Sequence, residues 1–422
     1  MMKLKIMGCL LMVAVVTEVW AQGGSRSPYS QFGIGTLSDR SQSMSRGMNG
    51  VGFGLHESDM VNTLNPASYS SVDSLTMLFD MGLSGQLTHF EEGNVKRNSS
   101  MANFEYAVAS FRLMKDVGVA VGILPFSNVG YNYSTTTKSL STGTLTENYS
   151  GSGGTHEVML GVGWHVLKPL SIGVNAGYFW GTIDRTVSPS ASSASNTLTK
   201  TYSTSISSYK LDFGAQWEQR IGRRDWLTIG AVFGLGHNLK NEADMMIVSR
   251  NSASNANDTA KFTVADATTL PMSLGVGVAY QHAGKLTLAA DFSLEKWGSE
   301  KLPDYVNGRY ELQSGMTLDR KKVNIGLDWT PNPLGRTFTD HIHYRLGAGY
   351  ATPYYKINGQ DGPRELSASL GVSLPIINNR SVLHISGQWV NSKASGFITD
   401  NTFRLNIGIT FNERWFMKWT VD

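Results

Sequence analysis

From Leu75 onward, apolar residues recur at every second position in one segment after another. Val158, Leu160, Val162, Trp164 and Val166 alternate with Met159, Gly161, Gly163 and His165. Tyr209, Leu211, Phe213, Ala215 and Trp217 alternate with Lys210, Asp212, Gly214 and Gln216, and Phe403, Leu405, Ile407, Ile409 and Phe411 with Arg404, Asn406, Gly408 and Thr410. A period of two is the signature of a β-strand with one apolar and one polar face. The outward polar face of a soluble sandwich would be rich in Lys and Glu. Here that face is small and glycine-rich, while the apolar face ends repeatedly in Trp or Tyr. Lipid outside, a filled lumen inside and aromatic girdles at the interfaces produce this pattern.

The connections alternate too. Short ones fall at Lys115-Asp116, Leu167-Lys168-Pro169, Gly222 to Asp225, Ala283-Gly284 and Asn378-Asn379. Long ones rich in Ser, Thr, Asn and Gly fall at 91–100, 134–154, 187–201, 241–269, 299–318, 358–363 and 392–401. Short turns on one side and long loops on the other predict an all-β chain, a transmembrane antiparallel barrel of about 14 strands over residues 71–411. Some long loops are expected to continue as hairpins, with Tyr131 to Thr137 and Tyr202 to Ser207 as extensions.

Residues 22–70 follow neither period. They hold the run Gly47-Met48-Asn49-Gly50-Val51-Gly52-Phe53-Gly54 and then Asn65-Pro66-Ala67. About fifty such residues ahead of a β-domain form either a disordered tail or a plug held by something else. Roughly fourteen strands with both ends on the periplasmic side supply a lumen to plug, which favours a hatch.

The beginning of the chain reads as a secretory signal over residues 1–21. Lys3 and Lys5 precede an apolar run from Ile6 to Val16, and Val19-Trp20-Ala21 resembles a cleavage site. A lipoprotein reading of Cys9 is disfavoured, because the apolar run would follow the cysteine instead of preceding it. Cys9 is the only cysteine, so the mature chain is expected to have no disulfide and no cysteine-ligated metal. Export and the barrel together predict the outer membrane of a Gram-negative cell envelope. Residues 412–422 would be a periplasmic tail.

Charge narrows the partners. Losing Lys3, Lys5 and Glu18 takes the formal charge from +3 to +2, with no basic run, so no nucleic-acid partner is expected. The 45 glycines and the 16% share of charged residues are unlike a soluble enzyme. Chemistry is sparse. His341 and His343, read as sharing one strand face, could edge a metal site, but without cysteine or a run of carboxylates no metal and no other cofactor is expected. Asp212, Asp291, Asp328, Lys210, Arg112 and Arg345 lie on polar strand faces, where pairing across a lumen or tethering a plug is the expected role. No Ser/His/Asp set is recognisable, and the glycines at 50, 52 and 54 lack the Lys-Ser/Thr of a phosphate loop. The expectation is no enzyme.

The segment Ser27-Pro28-Tyr29-Ser30-Gln31-Phe32-Gly33-Ile34-Gly35, the glycine run to Gly54 and Asn65-Pro66-Ala67 ahead of the first strand resemble the FadL/TodX-type outer-membrane transporters of hydrophobic compounds, in a divergent form similar to those of Bacteroidota. The resemblance implies a fourteen-stranded barrel, a lumenal hatch that includes Gly50, Gly52, Gly54, Asn65, Pro66 and Ala67, and a kinked third strand that opens to the lipid. Asp258-Thr259-Ala260 resembles a Bacteroidota glycosylation sequon.

A kink can be sought in the residues themselves. Val117, Val119, Val121 and Ile123 run into Leu124-Pro125-Phe126-Ser127-Asn128. Proline gives no N–H to the ladder, and a barrel has no edge to hide it, so Pro125 marks either a plain bulge or a lateral opening at Pro125 to Asn128. At the other end, Asn406 to Phe411, with Gly408 and the final aromatic Phe411, resembles the strand signal read by the barrel-assembly machinery during biogenesis. Two functions follow as expectations. The first is passive transport of hydrophobic, fatty-acid-like small molecules through the plugged barrel into outer-membrane lipid. The alternative is a structural or accessory barrel in a complex with other envelope proteins. An apolar cavity against residues 47–67 would favour the first, and a lumen packed solid the second.

Overall fold

A computed structural model describes residues 27–139, 143–191, 196–251, 254, 256–376 and 381–414. The expected signal peptide, the turn Asn378-Asn379 and the last eight residues of the expected tail lie outside the described residues.

Fourteen antiparallel strands close into a barrel. They are β1 (Thr76–Glu92), β2 (Val95–Met114), β3 (Val117–Ser139), β4 (Gly143–Leu167), β5 (Leu170–Ala191), β6 (Asn196–Arg220), β7 (Asp225–Gly234), β8 (Ser273–His282), β9 (Leu286–Glu295), β10 (Arg320–Trp329), β11 (His343–Ala351), β12 (Arg364–Ile376), β13 (Ser381–Lys393) and β14 (Thr399–Arg414). Neighbours in sequence pair in space, and β1 closes on β14 from Thr76↔Arg414 to Glu91↔Thr399. Closure joins the first strand to the last, so that most of the wall's backbone is satisfied within the ladder, as lipid requires. Among the described residues no helix is long and apolar enough to cross a membrane.

The period-two reading is visible in the wall. Leu160, Trp164, Ile172, Phe213, Ile229, Ile325, Leu346, Leu370 and Ile407 are all exposed on the outside, whereas Asp80, Asn175, Gln216, Asp291, Asn324, Arg345 and Asn406 are buried on the inside. Burial is inverted relative to a soluble protein, as lipid on the outside requires.

Two features differ from the sequence reading. Several expected loops are strand. β2 to β6 run 20 to 25 residues, against 9 or 10 for β7 to β11. The wall is therefore tall on one side, and the stretches 91–100, 134–154 and 187–201 are largely its upper rim. The stretch 241–269 is mostly a hairpin, Glu242–Asn251 with Asn257–Ala265, whose first strand pairs with Asn196 to Ser205 of β6. Ser/Thr-rich composition read as loop because an extended hairpin above the membrane has no apolar face to reveal it. The second difference is that the last strand continues past Phe411 to Arg414.

Candidate functional site

Residues 40–70 touch the inner face of all fourteen strands. The contacts begin with a four-residue helical turn, Ser43–Arg46. Ser43 Oγ donates to Asp80 of β1 at 2.8 Å and also meets the Tyr106 hydroxyl of β2. Arg46, only 3% exposed, pairs with Glu105 of β2 at 2.9 Å and donates to Asn406 of β14 at 3.1 Å. Its guanidinium also donates to the Ser41 and Asp39 carbonyls and lies 5.3 Å from the Tyr106 ring centre. Ser369 of β12 donates to the Gly47 carbonyl, and Asn49 bonds with Asn324 of β10 and Gln388 of β13. Asn49 and Gly50 take left-handed backbone, φ 57° and 81°, as the helical turn ends.

The next turn is fixed by one carboxylate. Asp291 of β9 accepts the Gly52 N–H at 2.6 Å and the Phe53 N–H at 3.0 Å. Gly54 lies against β8 so closely that a Cβ would sit 2.8 Å from the Ala279 nitrogen. Asn65-Pro66-Ala67 then has a specific local job. The Asn65 side chain caps the short 3-10 helix Pro66–Ser71 by accepting from the Ala67 N–H, with proline at the position that needs no donor. Its amide also donates to the Phe53 carbonyl at 2.8 Å and to the Ala215 carbonyl of β6 at 3.2 Å. One side chain thus ends the glycine loop, starts the helix and ties both to the wall.

Inward glycines form the seats. Positions 163 of β4, 173 of β5 and 214 of β6 lie under Pro66, 230 of β7 and 277 of β8 under Phe53, and 347 of β11 under Met48, while a Cβ at position 118 of β3 would fall on the Tyr69 carbonyl. Each would collide with the segment if it carried a side chain. The glycine richness of the polar face therefore records the close approach of a second layer of backbone.

A second ionic cluster lies at β4 and β6. Arg40 reaches Glu157 and Asp212 at 3.2 Å each, and Lys210 pairs with the same two carboxylates. Above it an apolar layer of Tyr29, Ile34, Tyr131, Phe179, Ile206, Trp297, Tyr354 and Tyr355 fills the loop side.

Around Pro125 the pairing of β2 with β3 is interrupted. β2 pairs with β3 only from Met114↔Val117 to Ala107↔Ile123. Above that point β2 stays on β1 and β3 stays on β4, and the two strands part. Each carries an irregularity at the parting. On β3 the register shifts between Pro125 and Ser127, leaving Phe126 extra. On β2 the extra residue is Glu105, turned in to Arg46. The N-terminal segment lines the parted edge of β3: Thr36 and Leu37 pair with Asn128 and Ser127, the Ser38 N–H donates to the Phe126 carbonyl, and Ser30 Oγ bonds both polar groups of Gly130. A cavity of about 520 Å³ lies at the split, lined by Asn103, Phe104, Glu105, Ile123, Pro125, Asn128, Gly153 and Gly154 among others. The last two, at φ 113° and 147° on β4, belong to the kink, and sequence reading passed them over as part of a Ser/Gly loop.

The remaining candidates separate. Asp212, Asp291, Asp328, Lys210 and Arg345 all face inward, and Arg345 pairs with Asp328 at 3.0 Å. The histidine pair does not form one edge: His341 lies in a 3-10 turn and bonds the Gly335 carbonyl, whereas His343 starts β11 and bonds Asp328 and Thr330. The turn between β10 and β11 holds a helical turn that strand alternation gave no reason to place. Gly408 faces inward beneath Ser43, and Phe411 faces outward beside Phe79. Asp258-Thr259-Ala260 is exposed on its hairpin. Reading missed Arg40, Arg46, Glu105 and Glu157, although the two glutamates could have been suspected as charges within otherwise apolar strands.

At the short-turn end, burial and then the charges of Asp59 and Asp328 push the Glu57 carboxyl from its ordinary 4.5 up to about 8. Gln281 donates to it at 3.2 Å. A carboxyl raised in the folded state contributes stability that is complete below its unfolded value and is lost as pH rises through the folded one. The temperature at which the barrel loses its compact electrophoretic form is therefore expected to fall between about pH 5 and pH 8.5, and to fall less in Glu57→Gln.

A family model described as BamG matches residues 1–422. No curated protein matches the chain. Among solved structures, a FadL homologue of Pseudomonas aeruginosa superposes with a TM-score of 0.63 at 10% identity, covering 93% of this chain and 100% of that one. The Ralstonia pickettii toluene transporter TbuX gives 0.60 at 15% identity, covering 90% and 99%. The CymD monoaromatic hydrocarbon channel gives 0.60 at 13% identity, covering 91% and 99%. The fold is thus that of the FadL/TodX-type channels, while the matching family model is a different one.

Proposed function

The chain belongs to the BamG family, and from that premise we propose that it is a plugged, non-transporting barrel subunit of an outer-membrane protein complex concerned with barrel assembly. Residues 27–72 act as its hatch. The observation that carries this reading is the contact of residues 40–70 with every one of the fourteen strands, through buried ion pairs and backbone seated on wall glycines. The cavity that reaches this segment at Asn49, of about 180 Å³, is bordered by Gln86, Glu105, Arg320, Lys322 and Arg404, a charged lining unlike the apolar one a carrier of such solutes would need. The family name points the same way.

A second reading, transport of hydrophobic compounds, is favoured by the split between β2 and β3 and by the shared fold with hydrocarbon channels. In it, an apolar molecule would leave sideways at Pro125 to Asn128. The two readings part in one experiment. Extraction of the tagged chain in mild detergent is expected to bring down other envelope proteins in fixed ratio, and deleting the gene to leave uptake of toluene and long-chain fatty acids unchanged. A chain that purifies alone, with uptake lost on deletion, would favour transport.

A further inference from the structure

We propose that the split between β2 and β3 is a docking slot for one membrane β-strand of a partner barrel, which adds to the free edge of β2 over residues 96–105. This rests on the reading of the chain as a subunit. The two sides of the split differ. The β3 side is covered by the chain itself, through Thr36, Leu37, Ser38 and Ser30. On the β2 side, residues 96–104 pair with β1 along one edge, with Glu105 as the bulge below them, and among the described residues no strand pairs with the other. Ten residues at about 3.3 Å each leave an edge of about 33 Å, close to the length of one membrane strand.

The height of this edge selects the occupant. Phe104 stands opposite Leu83 and Ser100 opposite Leu87 on β1, and Leu83 and Leu87 are exposed apolar residues of the outer band. Half of the free edge therefore lies at the level of lipid, where unpaired backbone N–H and C=O groups find no water. A hydrocarbon could fill the space but could not bond these groups. An extended chain with one apolar face satisfies both demands, as strand addition does elsewhere. The edge side chains allow close approach: Ser99, Ser100, Ala102 and Asn103 are small, Lys96 and Arg97 stand at its top, and Glu105 at its foot is turned in to Arg46. The lining at Asn103, Glu105 and Asn128 is polar beside Ile123 and Phe104, which suits an amphipathic strand better than an oil.

The test uses the full-length protein in nanodiscs and, as probe, a synthetic peptide with this chain's own membrane-strand sequence 399–411, labelled with a fluorophore and a photoreactive group. Saturable binding is expected, with adducts mapping to residues 96–105. N-methylation of one set of alternate peptide amides is expected to weaken binding at least about tenfold, while methylation of the other set leaves it within about twofold, because only one edge of an added strand bonds the sheet. A scrambled peptide without alternation should bind at least about tenfold more weakly. Equal response to both methylation patterns, adducts confined to other strands, or full displacement by toluene would overturn the proposal and leave the split as an exit for apolar molecules. The isolated chain is used, so failure here leaves the co-purification result standing, and loss of co-purification leaves the peptide result to be read by itself.

Discussion

Deletion of residues 27–54 is expected to yield a barrel that still assembles but leaks. The two halves of that expectation rest on different bonds. The wall closes through the ladder from Thr76↔Arg414 to Glu91↔Thr399, which includes no residue before 76, and the deleted residues join the wall's strand pairing at Thr36 and Leu37, on the parted edge of β3 above the closed part. The deleted stretch carries Tyr29 and Ile34 of the upper apolar layer and Arg40, Arg46, Met48 and Phe53 of the lower one. A fourteen-stranded wall encloses more than its own side chains fill. Proteoliposomes with the shortened chain should therefore release small sugars roughly tenfold or more faster than those with the intact chain, while the compact form on unheated gels persists. Unchanged release with an assembled barrel would mean that residues 55–72 and the loops suffice to close the lumen, and would remove the reason to regard residues 27–54 as a hatch. Complete loss of the barrel would instead assign the segment to wall stability.

The barrel was legible in the sequence because each membrane strand is read by two solvents at once, and residues such as Leu405, Ile407 and Ile409 against Asn406 and Gly408 record both. The boundaries were less legible. Above the lipid both strand faces meet polar surroundings, so 134–154 shows Ser, Thr and Gly without a period. Asn65-Pro66-Ala67 stood out by its place just ahead of the first strand, since the three residues alone recur by chance. Its role as a cap that also reaches the Ala215 carbonyl lay in distances no spacing encodes. Pro125 could be read because a missing N–H is a property of one residue. Its consequence could not, since the loss of β2–β3 pairing involves Glu105, twenty positions earlier, and the two glycines at 153 and 154 on another strand. Arg40 and Arg46 were hidden for the same reason: their partners lie far along the chain, on strands that contact brings near.

Among side chains, the largest effect is expected at Arg46. Its guanidinium serves the Glu105 carboxylate, the Asn406 side chain and the Ser41 and Asp39 carbonyls, and lies over Tyr106. It is also the first of the charges that hold Asp39 down at about 2 against the upward push of burial. Arg46→Met removes the cation and leaves both carboxylates in place. Breaking a buried pair from one side costs about 3 to 5 kcal/mol, and the lower end is expected here because Glu105 keeps the Ser84 hydroxyl and borders the cavity at the split. Arg46→Lys restores charge but not five donors in one plane, so it should recover only part of this. The double variant Arg46→Met with Glu105→Met removes both ends of the pair and should be milder than Arg46→Met alone. The wall ladder is untouched in all three, so the cost should appear as opening of the segment. Amide exchange at Gly47 to Gly50 is expected to accelerate by about two to three powers of ten in Arg46→Met, at about 1.4 kcal/mol per power, with exchange in β8 to β10 unchanged. Equal acceleration in the single and double variants would show that lost packing, and not the stranded Glu105 carboxylate, sets the hold on the segment.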